Sequence, residues 1–128
     1  MKLNKIHHIA IICSNYEKSK EFYVNILGLK IIKEIYRKDR ESYKLDLAVG
    51  ENGQIELFSF PQSPKRLSYP EARGLRHLAF EVNNIDEVIK ELVDNNVITE
   101  PIRIDEITGK KFTFFSDPDD LPIELYEK

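Results

Sequence analysis

His8-Ile9-Ala10-Ile11-Ile12-Cys13-Ser14-Asn15 and His77-Leu78-Ala79-Phe80-Glu81-Val82-Asn83-Asn84 follow one pattern, written twice in the chain. A shift of 69 positions lays His8 on His77, Ala10 on Ala79 and Asn15 on Asn84. Two further fragments, Ile55-Glu56-Leu57 and Ile123-Glu124-Leu125, match at a shift of 68. His8 therefore precedes Glu56 by 48 residues, and His77 precedes Glu124 by 47. A carboxylate inside an apolar strand is costly unless it is paired or binds a metal. Here it recurs, each time with a His at the head of another apolar run, and the recurrence points to one divalent metal site served by two copies of a module.

The intervening sequence fills in that module. Leu3–Cys13 is apolar and rich in β-branched residues, as a buried strand is. Ser14 or Asn15 caps a helix over Tyr16–Leu27, with Gly28 as its stop. Three strands follow, Leu29–Arg37, Tyr43–Val49 and Gln54–Phe60, the last two joined by the turn Gly50-Glu51-Asn52-Gly53. The second half repeats the order. Leu75–Val82 reads as a strand, and Asn84 with Glu87 opens an amphipathic helix carrying Ile85, Val88, Ile89, Leu92 and Val93 that ends near Asn95-Asn96. Thr99–Asp105, Lys111–Ser116 and Pro122–Tyr126 supply three more strands. The expected fold class is α+β, two βαβββ modules in a single domain over 1–128: module 1 about 1–60, a Pro-rich linker over 61–74, and module 2 about 75–128. Strand alternation puts His8, Ala10 and Ile12 on one face, and Gln54, Glu56, Phe58 and Phe60 on another.

Bulk properties narrow the function. The chain has 128 residues, 41% hydrophobic and 32% charged, with a net charge of −3, which gives no reason to expect nucleic acid or an anionic membrane as partner. One cysteine, Cys13, excludes an intrachain disulfide and any multi-cysteine zinc site. The apolar run Ile9–Cys13 is too short for a signal peptide, and no run approaches the roughly 20 residues needed to span a bilayer. A cytoplasmic location is the expectation.

Two imidazoles and two carboxylates offer mixed nitrogen and oxygen ligation, suited to nickel, cobalt, manganese, iron or zinc as divalent ions. The fragments around them resemble a known superfamily. The His8 strand, Ser19-Lys20-Glu21-Phe22-Tyr23, Ile26-Leu27-Gly28-Leu29, Ile55-Glu56-Leu57, Gly74-Leu75-Arg76-His77-Leu78-Ala79-Phe80 and Phe115-Ser116-Asp117-Pro118-Asp119 with Ile123-Glu124-Leu125 together are similar to the vicinal oxygen chelate superfamily, and within it to the glyoxalase I-like proteins. The resemblance implies the glyoxalase/bleomycin resistance/dioxygenase fold with a concave metal-binding sheet. It places His8, Glu56, His77 and Glu124 on the four metal-ligand positions and treats His7 as an adjacent decoy. Ring-cleaving dioxygenases and fosfomycin-modifying members use three ligands, so a Glu in both modules favours the glyoxalase-like branch.

What the resemblance implies about activity is a lactoylglutathione lyase-like isomerisation of a small 2-oxoaldehyde–thiol adduct through a metal-stabilised enediolate. Glu124 is the first choice and Glu56 the second for the carboxylate that moves the proton. One divalent ion is implied, nickel or zinc first, with cobalt, manganese or iron behind them. A homodimer is implied as well, with the site built within one chain or across two. Phe58-Ser59-Phe60-Pro61 stands where glutathione-using members carry a polar Asn, so the thiol is left open. The rival readings are another metalloenzyme of the superfamily, an epimerase or an Fe(II) dioxygenase, and a non-catalytic drug-sequestering protein. Arg37, Arg40, Arg66, Arg73, Arg76 and Arg103 are the candidates for a substrate carboxylate. Arg37 and Arg40 read as an exposed, charge-mixed strand end, and Arg76 is expected to point away from the His77 face. Cys13 reads as a small buried hydrophobe on the face opposite His8.

Overall fold

A computed structural model describes all residues, Met1–Lys128. The chain divides into two compact units, Met1–Pro64 and Lys65–Lys128. In the first, β1 (Ile9–Cys13) leads into α1 (Tyr16–Lys20), which runs on as a π-helical stretch over Glu21–Ile26, and then come β2 (Lys30–Arg37), β3 (Ser42–Val49) and β4 (Gly53–Ser59). Their sheet order is β1-β4-β3-β2, with β1 parallel to β4 and the other pairs antiparallel. In the second unit the elements are β5 (Leu78–Val82), α2 (Ile85–Asp94), β6 (Arg103–Ile104), β7 (Lys111–Ser116) and β8 (Pro122–Glu127). The order β5-β8-β7-β6 and the parallel β5–β8 pair reproduce the first sheet. The doubled βαβββ frame read from the sequence is the observed one.

Local chemistry explains the matching starts. Asn15 Oδ1 accepts the Lys18 N–H at 3.1 Å, and Asn84 Oδ1 accepts those of Asp86 and Glu87 at 3.1 and 3.2 Å, so the repeated Asn caps each helix. Helix α1 covers the expected residues but widens in its second half, where the Leu27 N–H reaches the Phe22 carbonyl, five residues back, at 2.9 Å. Gly28, at φ +72°, then turns the chain into β2.

One face of each sheet is dry. Ile11, Cys13, Phe22, Tyr23, Leu45, Leu47, Ile55 and Leu57 are buried in the first unit. Leu78, Ile85, Leu92, Phe115, Ile123 and Leu125 are buried in the second. The alternating residues, Ala10 and Ile12 on β1 and Ala79 and Glu81 on β5, lie on the open face.

Three strands are shorter than the sequence suggested. β1 begins at Ile9 rather than Leu3: its ladder starts at the Ile9–Ile55 pair, β4 itself begins only two residues earlier at Gly53, and Leu3 and Ile6 are left exposed. β5 likewise begins at Leu78 rather than Leu75, its first partner being Ile123. β6 keeps two residues of Thr99–Asp105: Pro101 has no N–H to give, and only Arg103 and Ile104 pair with β7. The segment expected as a linker is also partly structural. Residues 65–74 belong to the second unit, where Arg66 donates to the Leu75 carbonyl at 2.9 Å and Ser68 Oγ to the Asp120 carbonyl at 2.6 Å. No helix is long and apolar enough to cross a membrane.

Candidate functional site

The strand registers are what bring the donors together. Ala10 lies opposite Glu56 in the β1–β4 pair, and Ala79 lies opposite Glu124 in the β5–β8 pair. Each His stands two residues before its Ala on the same strand face, at the residue just ahead of the strand. A methyl group at Ala10 and Ala79 leaves the imidazole room to lean over to the carboxylate. The matching Ala of the repeat is thus explained by geometry.

Each unit pairs its own donors. His8 Nε2 lies 3.6 Å from Glu56 Oε2, and His77 Nε2 lies 3.0 Å from Glu124 Oε2. Neither unit adds a third His, Cys, Asp or Glu to its pair. The carboxylates are mostly covered, at 13% and 15% exposure, while His8 and His77 are more open at 40% and 27%. Ligands about 2.0–2.2 Å from a divalent zinc or similar ion sit about 3 Å apart on neighbouring coordination positions. The second pair has that separation and the first is slightly wider, so both donor sets suit a divalent cation, through Nε2 and a carboxylate oxygen in each case.

The residue before each His contacts its other ring nitrogen. His7 Nδ1 lies 2.9 Å from His8 Nδ1, and Arg76 Nη1 lies 3.3 Å from His77 Nδ1. His7 thus touches the ring of His8 on the side away from Glu56. Arg76 departs from expectation: it precedes β5, so strand alternation does not bind it, and its guanidinium turns toward the His77 ring instead of away. The two neighbours are chemically unlike. Arginine only donates, so Arg76 bonds His77 only when Nδ1 carries no proton, which puts the proton of the neutral ring on Nε2, toward Glu124. A histidine donates or accepts. His8 Nδ1–H can donate to His7, an arrangement that leaves Nε2 free to bind a cation.

The surroundings of the two carboxylates differ as well. Asp46 on β3 lies directly opposite Glu56, and Lys44 bridges them, with Nζ 2.5 Å from Asp46 Oδ1 and 3.3 Å from Glu56 Oε1. Burial works to lower the Lys44 pKa and is the largest single influence. Hydrogen bonding to Asp46 and Glu56 together outweighs it and holds the ammonium above its ordinary value. In the second unit the corresponding places are aromatic. Phe114 lies opposite Glu124 and meets the His77 ring edge-on at 5.2 Å. Lys44 and Asp46 were not singled out from the sequence, although the alternation Lys44-Leu45-Asp46-Leu47 marks them as the open face of the strand next to Glu56.

Two arginines stack on these aromatics. Arg103 lies over Phe112 and Phe114, 5.0 and 5.4 Å from the ring centroids, and pairs with Glu100 at 2.8 Å. With Arg76, His77, Glu71, Tyr69 and Phe114 it lines a cavity of about 210 Å³. Arg37 lies over Phe58 and Phe60 at 5.0 and 5.5 Å and is half-buried, so it is not the solvated strand end that its neighbours Asp39 and Glu41 suggested. Arg66 is spent on backbone carbonyls, and Cys13 is buried as expected.

Comparison with known proteins agrees with this frame. The chain is 60% identical to the uncharacterized protein YwkD of Bacillus subtilis over the full length of both. It is 51% identical to a glyoxalase family protein from Enterococcus faecalis of known crystal structure, covering 99% of this chain and 100% of that one with a TM-score of 0.91. It is 32% identical to the metallothiol transferase FosB of Staphylococcus saprophyticus, over 97% of this chain and 77% of the relative. Residues 5–125 match the family model described as Glyoxalase/Bleomycin resistance protein/Dioxygenase superfamily. On the repeated βαβββ frame, the placement of a His and a Glu in each half and this match, the chain belongs to that superfamily.

Proposed function

We propose that the protein is a metal-dependent lyase or isomerase of the glyoxalase I type, acting on a small 2-oxoaldehyde–thiol adduct or a related small molecule. The observation that carries this reading is the recurrence of one His Nε2–Glu carboxylate pair at matching registers in both units. We assign all four donors, His8, Glu56, His77 and Glu124, to one divalent ion, nickel or zinc by preference. When bound, such an ion supplies Lewis-acid polarisation of substrate oxygens.

The residues divide the remaining work. Glu124 faces Phe114 and His77 with no lysine beside it, which leaves its carboxylate available to take a proton from one substrate carbon and return it to the next. Glu56 is tied to Lys44 and is the more fixed carboxylate. Exposed Ile12, Ile31, Ile32 and Ile35 on β1 and β2 leave apolar surface of the kind a second copy covers, and a homodimer is the assembly we propose.

The test is metal analysis of the purified protein followed by turnover of hemithioacetals of several thiols. One ion per chain and turnover with at least one adduct are expected. Glu124→Gln is expected to lower kcat by about 10²–10⁴-fold with the ion still bound, and Glu56→Gln to lose the ion. Metal without turnover of any adduct would remove the lyase reading. A thiol-transfer reaction is the second reading, favoured by the near full-length similarity to a metallothiol transferase, and consumption of thiol without isomerised product would support it.

A further inference from the structure

The ion pairs of the first unit are His8–Glu56, Lys20–Glu34, Lys44–Asp46 and Lys44–Glu56, and Arg37 is in none of them. Its Nη2 donates to Ser42 Oγ at 2.8 Å, a neutral partner, and its Nε is buried with no partner at all. A half-buried cation with an orphan N–H is costly, and the cost calls for an explanation. Stacking on Phe58 and Phe60 compensates part of it. Stacking is not how this chain settles an arginine elsewhere, however. Arg103 has the same place over two rings and also has Glu100 at 2.8 Å. The carboxylate that completes Arg103 has no counterpart at Arg37.

Position sharpens the point. Phe58 and Phe60 lie two and four residues beyond Glu56 on the same face, so the rings beneath Arg37 stand about 7–14 Å along the strand from the Glu56 carboxylate. Lys33, opposite Asp46 on β2, shares this face but is exposed to solvent, and Lys44 is already engaged by two carboxylates. Arg37 is therefore the half-buried cation of this face left without an anion, a planar donor held in orientation by two rings.

We propose that Arg37 is the anion-recognition residue of the Glu56 face and takes a carboxylate of the substrate. One guanidinium with its planar fork fits a carboxylate better than a doubly charged phosphate. The assignment rests on the proposed function only in placing the substrate on that face.

The experiment uses propionate as probe and propionamide as its neutral counterpart, at constant ionic strength, against the ¹⁵N-labelled full-length protein. Propionate is expected to move the Arg37 Nε–H signal and the backbone signals of Ser42, Phe58 and Phe60 in a saturable way, and propionamide to leave them in place. Arg37→Lys, which keeps the charge but not the fork, is expected to weaken binding about tenfold. Arg37→Gln is expected to abolish it, and Arg103→Gln to bind as the parent does. Equal shifts with propionamide, or propionate shifts that persist at Ser42, Phe58 and Phe60 in Arg37→Gln, would overturn the assignment. The same protein assayed with charged and uncharged adducts separates the two readings. Absence of turnover with the propionate response intact leaves the anion site standing and removes the lyase reading. Turnover that is indifferent to a substrate carboxylate overturns the anion site alone.

Discussion

At the scale of single residues, the two halves differ most at the position before each His. His7 can accept a hydrogen bond from His8 Nδ1–H, which frees His8 Nε2 for a cation, whereas Arg76 can only donate, so its contact favours the opposite tautomer at His77. Replacing Arg76 with Gln removes that preference, since the amide oxygen can accept from Nδ1–H. Arg76→Gln is therefore expected to bind Zn²⁺ several-fold more tightly, about 1 kcal/mol, the worth of one hydrogen bond, measured by competition with a chromogenic chelator. Lys44 gives a second prediction. It stands between Asp46 and Glu56, which face each other across β3 and β4. Lys44→Met leaves two carboxylates opposed and is expected to cost about 1–3 kcal/mol without metal, with added Zn²⁺ recovering more of the melting temperature than in the parent. The raised pKa of Lys44 gives this contribution its pH range: it is complete below the ordinary lysine value of about 10.4 and is lost as pH rises through the higher folded value.

At the scale of elements, α1 is tied to β2 through Glu34. Its carboxylate accepts from Lys20 Nζ at 2.7 Å and from the Tyr16 hydroxyl, while the Tyr16 ring stacks on Tyr43 with centroids 4.1 Å apart. Burial first, and then Glu34, pushes the Tyr16 pKa up, whereas Lys20 first and then Tyr16 hold Glu34 below the usual carboxylate range. Glu34 thus adds stability above about pH 4.3 that is lost as pH falls through its lowered folded value. Glu34→Gln is expected to cost about 0.5–1 kcal/mol at neutral pH, the worth of a largely solvated pair, and to flatten the acid limb of a stability–pH curve measured by urea denaturation. This tie was invisible in the sequence, because Tyr16, Lys20 and Glu34 meet only once the sheet exists. The helices were legible, since Asn15, Asn84 and the spacing of Ile85, Val88, Ile89 and Leu92 are local signals. Strand limits were not, because a strand ends where its partner does: Leu3 and Ile6 have strand-like character but nothing in β4 to pair with. The two His–Glu pairs were legible because they repeat, whereas Arg37 and Lys44 stand alone and are decided by which rings and carboxylates the register sets beside them.

At the scale of the whole molecule, one architecture is used twice with different linings, charged around Glu56 and aromatic around Glu124. The topology shared by both units also bears on when the pairs form. In each, the His stands at the head of the first strand and the Glu lies in the last, and the other two strands of the sheet lie between them in sequence. Closing so distant a pair costs chain entropy before any contact repays it, so it belongs late in folding. The donor pairs are then expected to be absent from the folding transition state and present only in the native protein. A cation that recognises them cannot guide the chain to its fold; it can only keep the chain there. Stopped-flow measurements with and without Zn²⁺ are expected to show refolding rates that coincide and unfolding rates that fall as the ion is added. A divalent ion bound by the proposed donors would act as a latch, set after the structure has closed.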